Sequence, residues 1–185
     1  LWQNVRKRGG WLAILALSEM LTASVMASYE HELGKVILLS QFIPLIMSSG
    51  GNAGSQATSL IIRAMALGEV TLRDWWKVVL RELPAGLILG LILGTLAATR
   101  ISAWELLGLY DYGPHHAWLA LTVGLTLVAI VTIGSLTGSM LPFILRRFGF
   151  DPASASAPFV ATLVDVSAIS IYFSVAYWLL LPKLQ

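Results

Sequence analysis

Long apolar runs alternate with short polar and basic segments along the whole chain. Taking about 20 residues as the length of a membrane-crossing helix, we predict five spans, at roughly residues 11–28, 36–64, 78–99, 118–145 and 151–181. We expect the second span to be interrupted near Gly50. Asp151 and Pro152 are typical of the N-cap and first position of a helix, and they mark the start of the fifth span. The pattern predicts an all-α integral membrane protein in which residues 1–185 form one five-span domain.

Composition supports a membrane protein and excludes several classes of activity. Hydrophobic residues make up 57% of the chain, charged residues 12%, and the mean hydropathy is +0.78, whereas a soluble domain carries about 25% charged residues. There is no cysteine, which excludes disulfides and thiolate metal sites. Walker, HExxH and Gly-x-Ser-x-Gly motifs are also absent, so we do not expect an enzyme. The basic residues lie at span ends, which favours a lipid bilayer rather than nucleic acid as the partner.

The distribution of Lys and Arg predicts the orientation. Nine of the twelve basic residues fall on the side of the N-terminus and three on the other side. The positive-inside rule then places the N-terminus in the cytoplasm and the C-terminus outside the cell (inner) membrane. The nine are Arg6, Lys7, Arg8, Arg63, Arg73, Lys77, Arg81, Arg146 and Arg147, and the three are Lys35, Arg100 and Lys183.

Asp165 is an acid inside the apolar fifth span. A carboxylate at such depth costs at least about 2.5–3.5 kcal/mol, so it is a candidate functional residue. Ala161 precedes it by one helical turn and would let a second helix approach. One carboxylate makes a poor divalent-cation site, but two related by a twofold axis could form one, and twofold dimers are the commonest oligomers. Alternatively, Asp165 neutralises a basic residue or is a protonated, hydrogen-bonded acid.

The second span carries a polar, glycine-rich segment. Asn52 and Gln56 are four residues apart and share a helix face, and three glycines lie between residues 50 and 54. Irregular or polar backbone at membrane depth survives where it is buried in protein or lines a watery cavity. The segment is therefore either the polar wall of an ion path or a helix-packing surface with hydrogen bonds between spans.

Two acids of the first span are weaker candidates. Glu19 lies within the span and could line a pore, titrate, or form a polar helix contact. Glu30 lies at the outer end beside His31 and Glu32. This group could gather cations at a pore mouth or form an ordinary solvated loop.

Two segments together indicate a family. The run from Pro44 to Gln56, PLIMSSGGNAGSQ, resembles a signature segment of MgtE magnesium channels, and so does the segment that holds Leu141–Ala153, LPFILRRFGFDPA, and Pro158–Asp165, PFVATLVD. The similarity extends over essentially the whole chain. Family members usually carry a cytoplasmic N-domain and CBS domains, and we expect the 185 residues to be the transmembrane domain alone.

The resemblance implies a homodimeric channel with its pore on the twofold axis, moving Mg²⁺ into the cytoplasm down its electrochemical gradient. It implies that Asp165 is the key intramembrane acid, that Ala161 lines the pore, and that Glu30 is the acid of the outer mouth. Asn52 and Gln56 fall in the family's Gly-Asn-x-Gly-x-Gln signature. Glu19 stands where a small residue is expected and could supply another ligand. Two alternatives remain open: a proton- or sodium-coupled divalent-cation carrier that uses Glu19, and a membrane assembly module that transports nothing.

Overall fold

In the computed structural model, which describes residues 2–29 and 37–183, the chain is helical, and those residues contain no β-strand. Five α-helices account for most of it. Short 3₁₀ helices precede the second and third α-helices and follow the fifth, at Ile37–Phe42, Leu72–Asp74 and Leu181–Lys183. The α-helices are α1 (Trp2–Ser28), α2 (Ile43–Ala66), α3 (Trp75–Leu106), α4 (His116–Arg147) and α5 (Pro152–Leu179).

Three stretches among the described residues are long and apolar enough to cross a membrane, namely Leu72–Leu106, His116–Arg147 and Phe159–Leu179. They correspond to the third, fourth and fifth predicted spans. The apolar part of α1, Leu12–Ser28, is shorter, and α2 carries many polar residues. The start of α5 is confirmed, because Asp151 is its N-cap and accepts a hydrogen bond from the Ala153 backbone N–H at 3.1 Å.

The predicted interruption near Gly50 is wrong. α2 is one continuous α-helix from Ile43 to Ala66. Gly50 and Gly54 are buried within it, and each lies against a neighbouring helix, so these glycines admit close neighbours instead of breaking the backbone. A Cβ added to Gly50, for example, would lie 2.8 Å from the Ile130 side chain on α4.

α4 is the central helix, and it packs against α2, α3 and α5. Its backbone meets that of α2 at two glycine pairs, Gly50 with Gly134 and Gly54 with Gly138. A buried hydrogen bond from Thr58 Oγ1 to the Gly138 carbonyl oxygen, 2.8 Å long, joins the same two helices. Because residue numbers increase together along this contact, α2 and α4 run in the same direction.

α3 crosses α4 through its own glycines. A Cβ on Gly86 would lie 2.9 Å from the Thr132 Cα, and one on Gly94 would lie 2.6 Å from the Gly124 carbonyl oxygen. Small residues at such positions let membrane helices approach closely, and these glycines have that role here. The pairing also shows that α3 and α4 are antiparallel.

The end of α1 and the 3₁₀ helix before α2 both contact α5. Tyr172 donates a buried hydrogen bond of 2.9 Å to the Leu39 carbonyl oxygen in the 3₁₀ helix before α2. One residue further along α5, Phe173 stacks on Tyr29 just beyond α1, with ring centroids 4.9 Å apart. α1 itself packs mainly on α5.

Candidate functional site

One face of α2 is polar and exposed. Asn52 and Gln56 both lie on it, and its hydrogen bonds are local: Asn52 Nδ2 donates to Ser48 Oγ at 3.3 Å, and Ser59 Oγ donates to the Ser55 carbonyl oxygen at 2.9 Å. The opposite face, which includes Gly50 and Gly54, is buried against the bundle. The glycines therefore pack the helix against the bundle, while the amides face away from it.

α5 places Asp165 beside this part of α2. Val164 lies against Gly50 and Val160 against Gly54, so the two helices are antiparallel and their register is defined. This register puts Asp165 and Ala161, both half-buried, within about one helical turn in height of Asn52. By the same register, Gln56 lies about one turn beyond the level of Ala161, toward the C-terminal end of α2.

The side chain of Asp165 lies within interaction range of Glu19, an exposed acid on α1. Glu19 therefore lies at a polar contact between α1 and α5, which was one of the roles expected for it. The Tyr29–Phe173 stack lies further along the same pair of helices and confirms that α1 and α5 are parallel.

Among the described residues, no basic side chain pairs with Asp165, and the ion pair of Lys77 with Asp74 lies at the start of α3. The described residues also contain no group of three or more His, Asp or Glu side chains that could hold a metal ion. One chain therefore provides two carboxyl groups and a polar helix face, which is too few ligands for a closed cation site. Glu30 lies outside the described residues.

Sequence reasoning missed one polar group on α1. Thr22 lies one turn beyond Glu19 and is 5% exposed, yet its hydroxyl has no hydrogen-bond partner among the described residues. By contrast, Ser24 on the same helix donates to the Met20 carbonyl oxygen at 2.9 Å. An orphaned hydroxyl is visible only once the burial of α1 against α5 is known.

Comparison with known proteins identifies the domain. Residues 43–175 match the family model described as "MgtE: Divalent cation transporter". A magnesium transporter MgtE of Thermus thermophilus is 44% identical over 170 residues, which cover 92% of this chain and 36% of that protein. Proteins of the same name from Enterococcus faecalis and Bacillus subtilis are 32% and 28% identical, with the same coverage of this chain and of their own length.

The chain spans about a third of the length of these curated relatives. The matched region contains α2, α3 and α4 and most of α5, so it includes the polar face of α2 and Asp165. The relatives are named as transporters and not as enzymes, in agreement with the absence of hydrolase motifs.

Proposed function

Because this chain belongs to the MgtE family of divalent cation transporters, we propose that it forms the membrane domain of a homodimeric channel that carries Mg²⁺ into the cytoplasm. The relatives it matches are named magnesium transporters, which supports Mg²⁺ as the transported ion. The pore lies on the twofold axis between two copies of the chain.

The exposed polar face of α2 is the observation that carries this proposal. Asn52 and Gln56 on that face have no partner helix within the described chain, although α2 is packed on its opposite face. Exposing amides to lipid is unfavourable because their hydrogen bonds cannot be replaced there. A water-filled path against a second copy satisfies them.

Asp165 supplies the charge in this path. Its neighbour Val164 lies against Gly50, which puts Asp165 at the height of the polar face, and a twofold axis brings two such carboxylates to one ion. Mg²⁺ prefers octahedral oxygen ligands and gives up water reluctantly, so the pore holds it largely hydrated at this level. Ala161, one turn before Asp165, leaves room for the hydrated ion. Asn52 and Gln56 contact its water shell, and Glu30 attracts cations at the outer mouth.

The membrane potential is sufficient to drive entry. Two charges crossing about 100 mV gain about 4.6 kcal/mol, since each gains about 2.3 kcal/mol. With this gain, Mg²⁺ entry requires neither ATP nor a coupled ion.

The helix directions support five crossings of the cell membrane with a cytoplasmic N-terminus. α1 and α5 are parallel, α2 and α4 are parallel, and α3 is antiparallel to α4, as alternating spans require. The C-terminal ends of α2 and α4 and the N-terminal end of α3 lie on the same side of the bundle. They carry basic residues, among them Arg63, Lys77 and Arg147. Such a basic end belongs on the cytoplasmic side.

Divalent-cation flux into liposomes tests the proposal. The chain is compared with Asp165→Asn and with Asp111→Asn, a loop acid that caps a local turn through the Gly113 N–H, under a set potential and no other gradient. We expect Mg²⁺ entry in the wild type and the loop variant, and little or none in Asp165→Asn.

Entry in Asp165→Asn equal to that in the wild type contradicts the role of Asp165. Flux that requires an opposing proton or sodium gradient supports the coupled carrier instead. Flux absent under every gradient, in a folded protein, supports an assembly module.

A further inference from the structure

A cleft lies between α3 and α4 at the basic end of the bundle. Its volume is about 330 Å³, within the range of about 300–1,000 Å³ that is typical of ligand sites. Both stretches that form it, Leu72–Leu106 and His116–Arg147, are long and apolar enough to cross a membrane. The cleft lies at one end of each stretch, where hydrocarbon gives way to lipid headgroups. It is lined by Leu72, Trp75, Met140, Phe143, Ile144 and Arg147.

The lining changes from apolar to basic along α4. Met140, Ile144 and Arg147 follow one another at helical spacing and share one face of the helix. They span about 10 Å along its axis, since each residue adds about 1.5 Å. Leu72 and Ile144 are 42% and 49% exposed. Exposed apolar side chains beside a membrane-spanning stretch suit contact with an acyl chain, and the headgroup of such a lipid then lies next to Arg147.

Two hydrogen-bond donors at the basic end of the cleft lack partners. The Arg147 guanidinium makes no hydrogen bond, ion pair or cation–π contact within the described part of the chain. Trp75 contacts Trp76 edge to face, with ring centroids 5.5 Å apart, but its indole N–H donates to no described residue. Indole rings at span ends lie at the headgroup level of a bilayer. An arginine there can bind a phosphate through two parallel hydrogen bonds.

Acids distinguish this cleft from two others at the same end. Arg146 lines one of them together with Asp151, and the other is lined by two arginines and two glutamates. Among the described residues, no acid lines the cleft of Arg147, and the nearby Asp74 is paired with Lys77 at 2.8 Å. Of these three clefts, only that of Arg147 offers an anionic group a positive charge without an acid beside it.

We propose that this cleft binds one anionic phospholipid, with its phosphate on Arg147 and Trp75 and an acyl chain along Met140 and Ile144. Basic pockets between membrane helices bind anionic headgroups in this way. A zwitterionic lipid fills the apolar part equally well but gains less at Arg147, because its headgroup carries no net charge. The site lies on α3 and α4 and does not involve Asp165, so it goes beyond the proposed channel function and stands without it.

Quenching of tryptophan fluorescence by brominated lipids measures the occupation of the cleft. The purified chain is placed in phosphatidylcholine vesicles with increasing fractions of brominated phosphatidylglycerol or brominated phosphatidylcholine. The contribution of Trp75 is the difference between the wild type and Trp75→Phe. We expect half quenching of this contribution at an about fivefold lower fraction of the brominated phosphatidylglycerol. This factor corresponds to about 1 kcal/mol for one basic residue beside an anionic lipid.

Arg147→Gln and Arg146→Gln form a matched pair. Both residues are exposed and lie in the last turn of α4, so a general attraction of anionic lipid to the basic end predicts equal effects of the two variants. We expect Arg147→Gln to abolish the preference for phosphatidylglycerol and Arg146→Gln to retain it. Arg147→Lys keeps the positive charge and should retain most of the preference.

Equal quenching by the two brominated lipids in the wild type overturns the inference. A preference that persists in Arg147→Gln, or that is lost equally in Arg146→Gln, overturns it as well, because the lipid then responds to the whole basic end. Native mass spectrometry of phosphatidylglycerol retained by the same arginine variants tests the cleft without Trp75→Phe. We expect one bound lipid fewer in Arg147→Gln alone, and unchanged retention in that variant contradicts the proposed site.

Discussion

Gly134 of α4 lies directly against Gly50 of α2, so that a Cβ added to Gly134 would come within 2.5 Å of the Gly50 carbonyl oxygen. The atom in the way belongs to the backbone and cannot rotate aside. The contact fixes the height of α2 relative to α4. Because Val164 of α5 also lies against Gly50, the same contact sets the height of Asp165 relative to the polar face of α2.

Gly134→Ala should therefore destabilise the bundle. Overpacking of this kind costs about 1–3 kcal/mol, which we expect to lower the thermal unfolding temperature in detergent. Gly9→Ala is the control, since no atom lies within 4 Å of a Cβ at that position. An unfolding temperature of Gly134→Ala equal to that of the control variant would show that the helices are not in such close contact.

Tyr172→Phe removes the buried hydrogen bond from α5 to the Leu39 carbonyl oxygen. A buried hydrogen bond contributes about 0.5–1.5 kcal/mol, so we expect a measurable loss of stability in the same unfolding assay. Tyr177→Phe on the same helix is the matched control, because that side chain is 57% exposed. Similar stabilities of the two variants would mean that the hydrogen bond contributes little.

Much of the fold follows from hydrophobic pattern and small-residue spacing. The limits of the apolar runs place five helices, and Asp151 with Pro152 marks the start of α5. The repeat Gly86, Gly90 and Gly94 predicts close helix packing, which the structure confirms. These features are local, since each depends on residues within a few turns of one helix.

The remainder depends on register between helices. From sequence, Gly50 suggests a helix break because glycine adopts many backbone conformations. Only the position of α4 shows that Gly50 instead accommodates a neighbouring backbone. The contact between Glu19 and Asp165 joins residues 146 positions apart. No pattern in either helix indicates at which height α1 lies against α5. The candidate site was thus predicted residue by residue, but the partner of Asp165 was not.

Asn52→Cys should be reachable from water if the polar face of α2 lines a pore. The chain has no cysteine of its own, so a single introduced thiol reports on one position. We expect rapid reaction of this variant with a charged, membrane-impermeant thiol reagent, and slower reaction when Mg²⁺ is present in excess.

Leu91→Cys is the control for this reaction. Leu91 is 56% exposed on α3, where the surrounding apolar side chains suit contact with lipid, and a thiol there should react slowly because thiolates form only in water. Similar slow rates at both positions would mean that the face of α2 does not border water.

The position of a bound cation tests the central claim most directly. Mn²⁺ binds oxygen ligands as Mg²⁺ does and can be located by its anomalous scattering in crystals of the chain. We predict an anomalous peak on a twofold axis between the Asp165 carboxylates of two copies, and its loss in Asp165→Asn. A peak that lies elsewhere and persists in Asp165→Asn would contradict the assignment of Asp165 to the cation path.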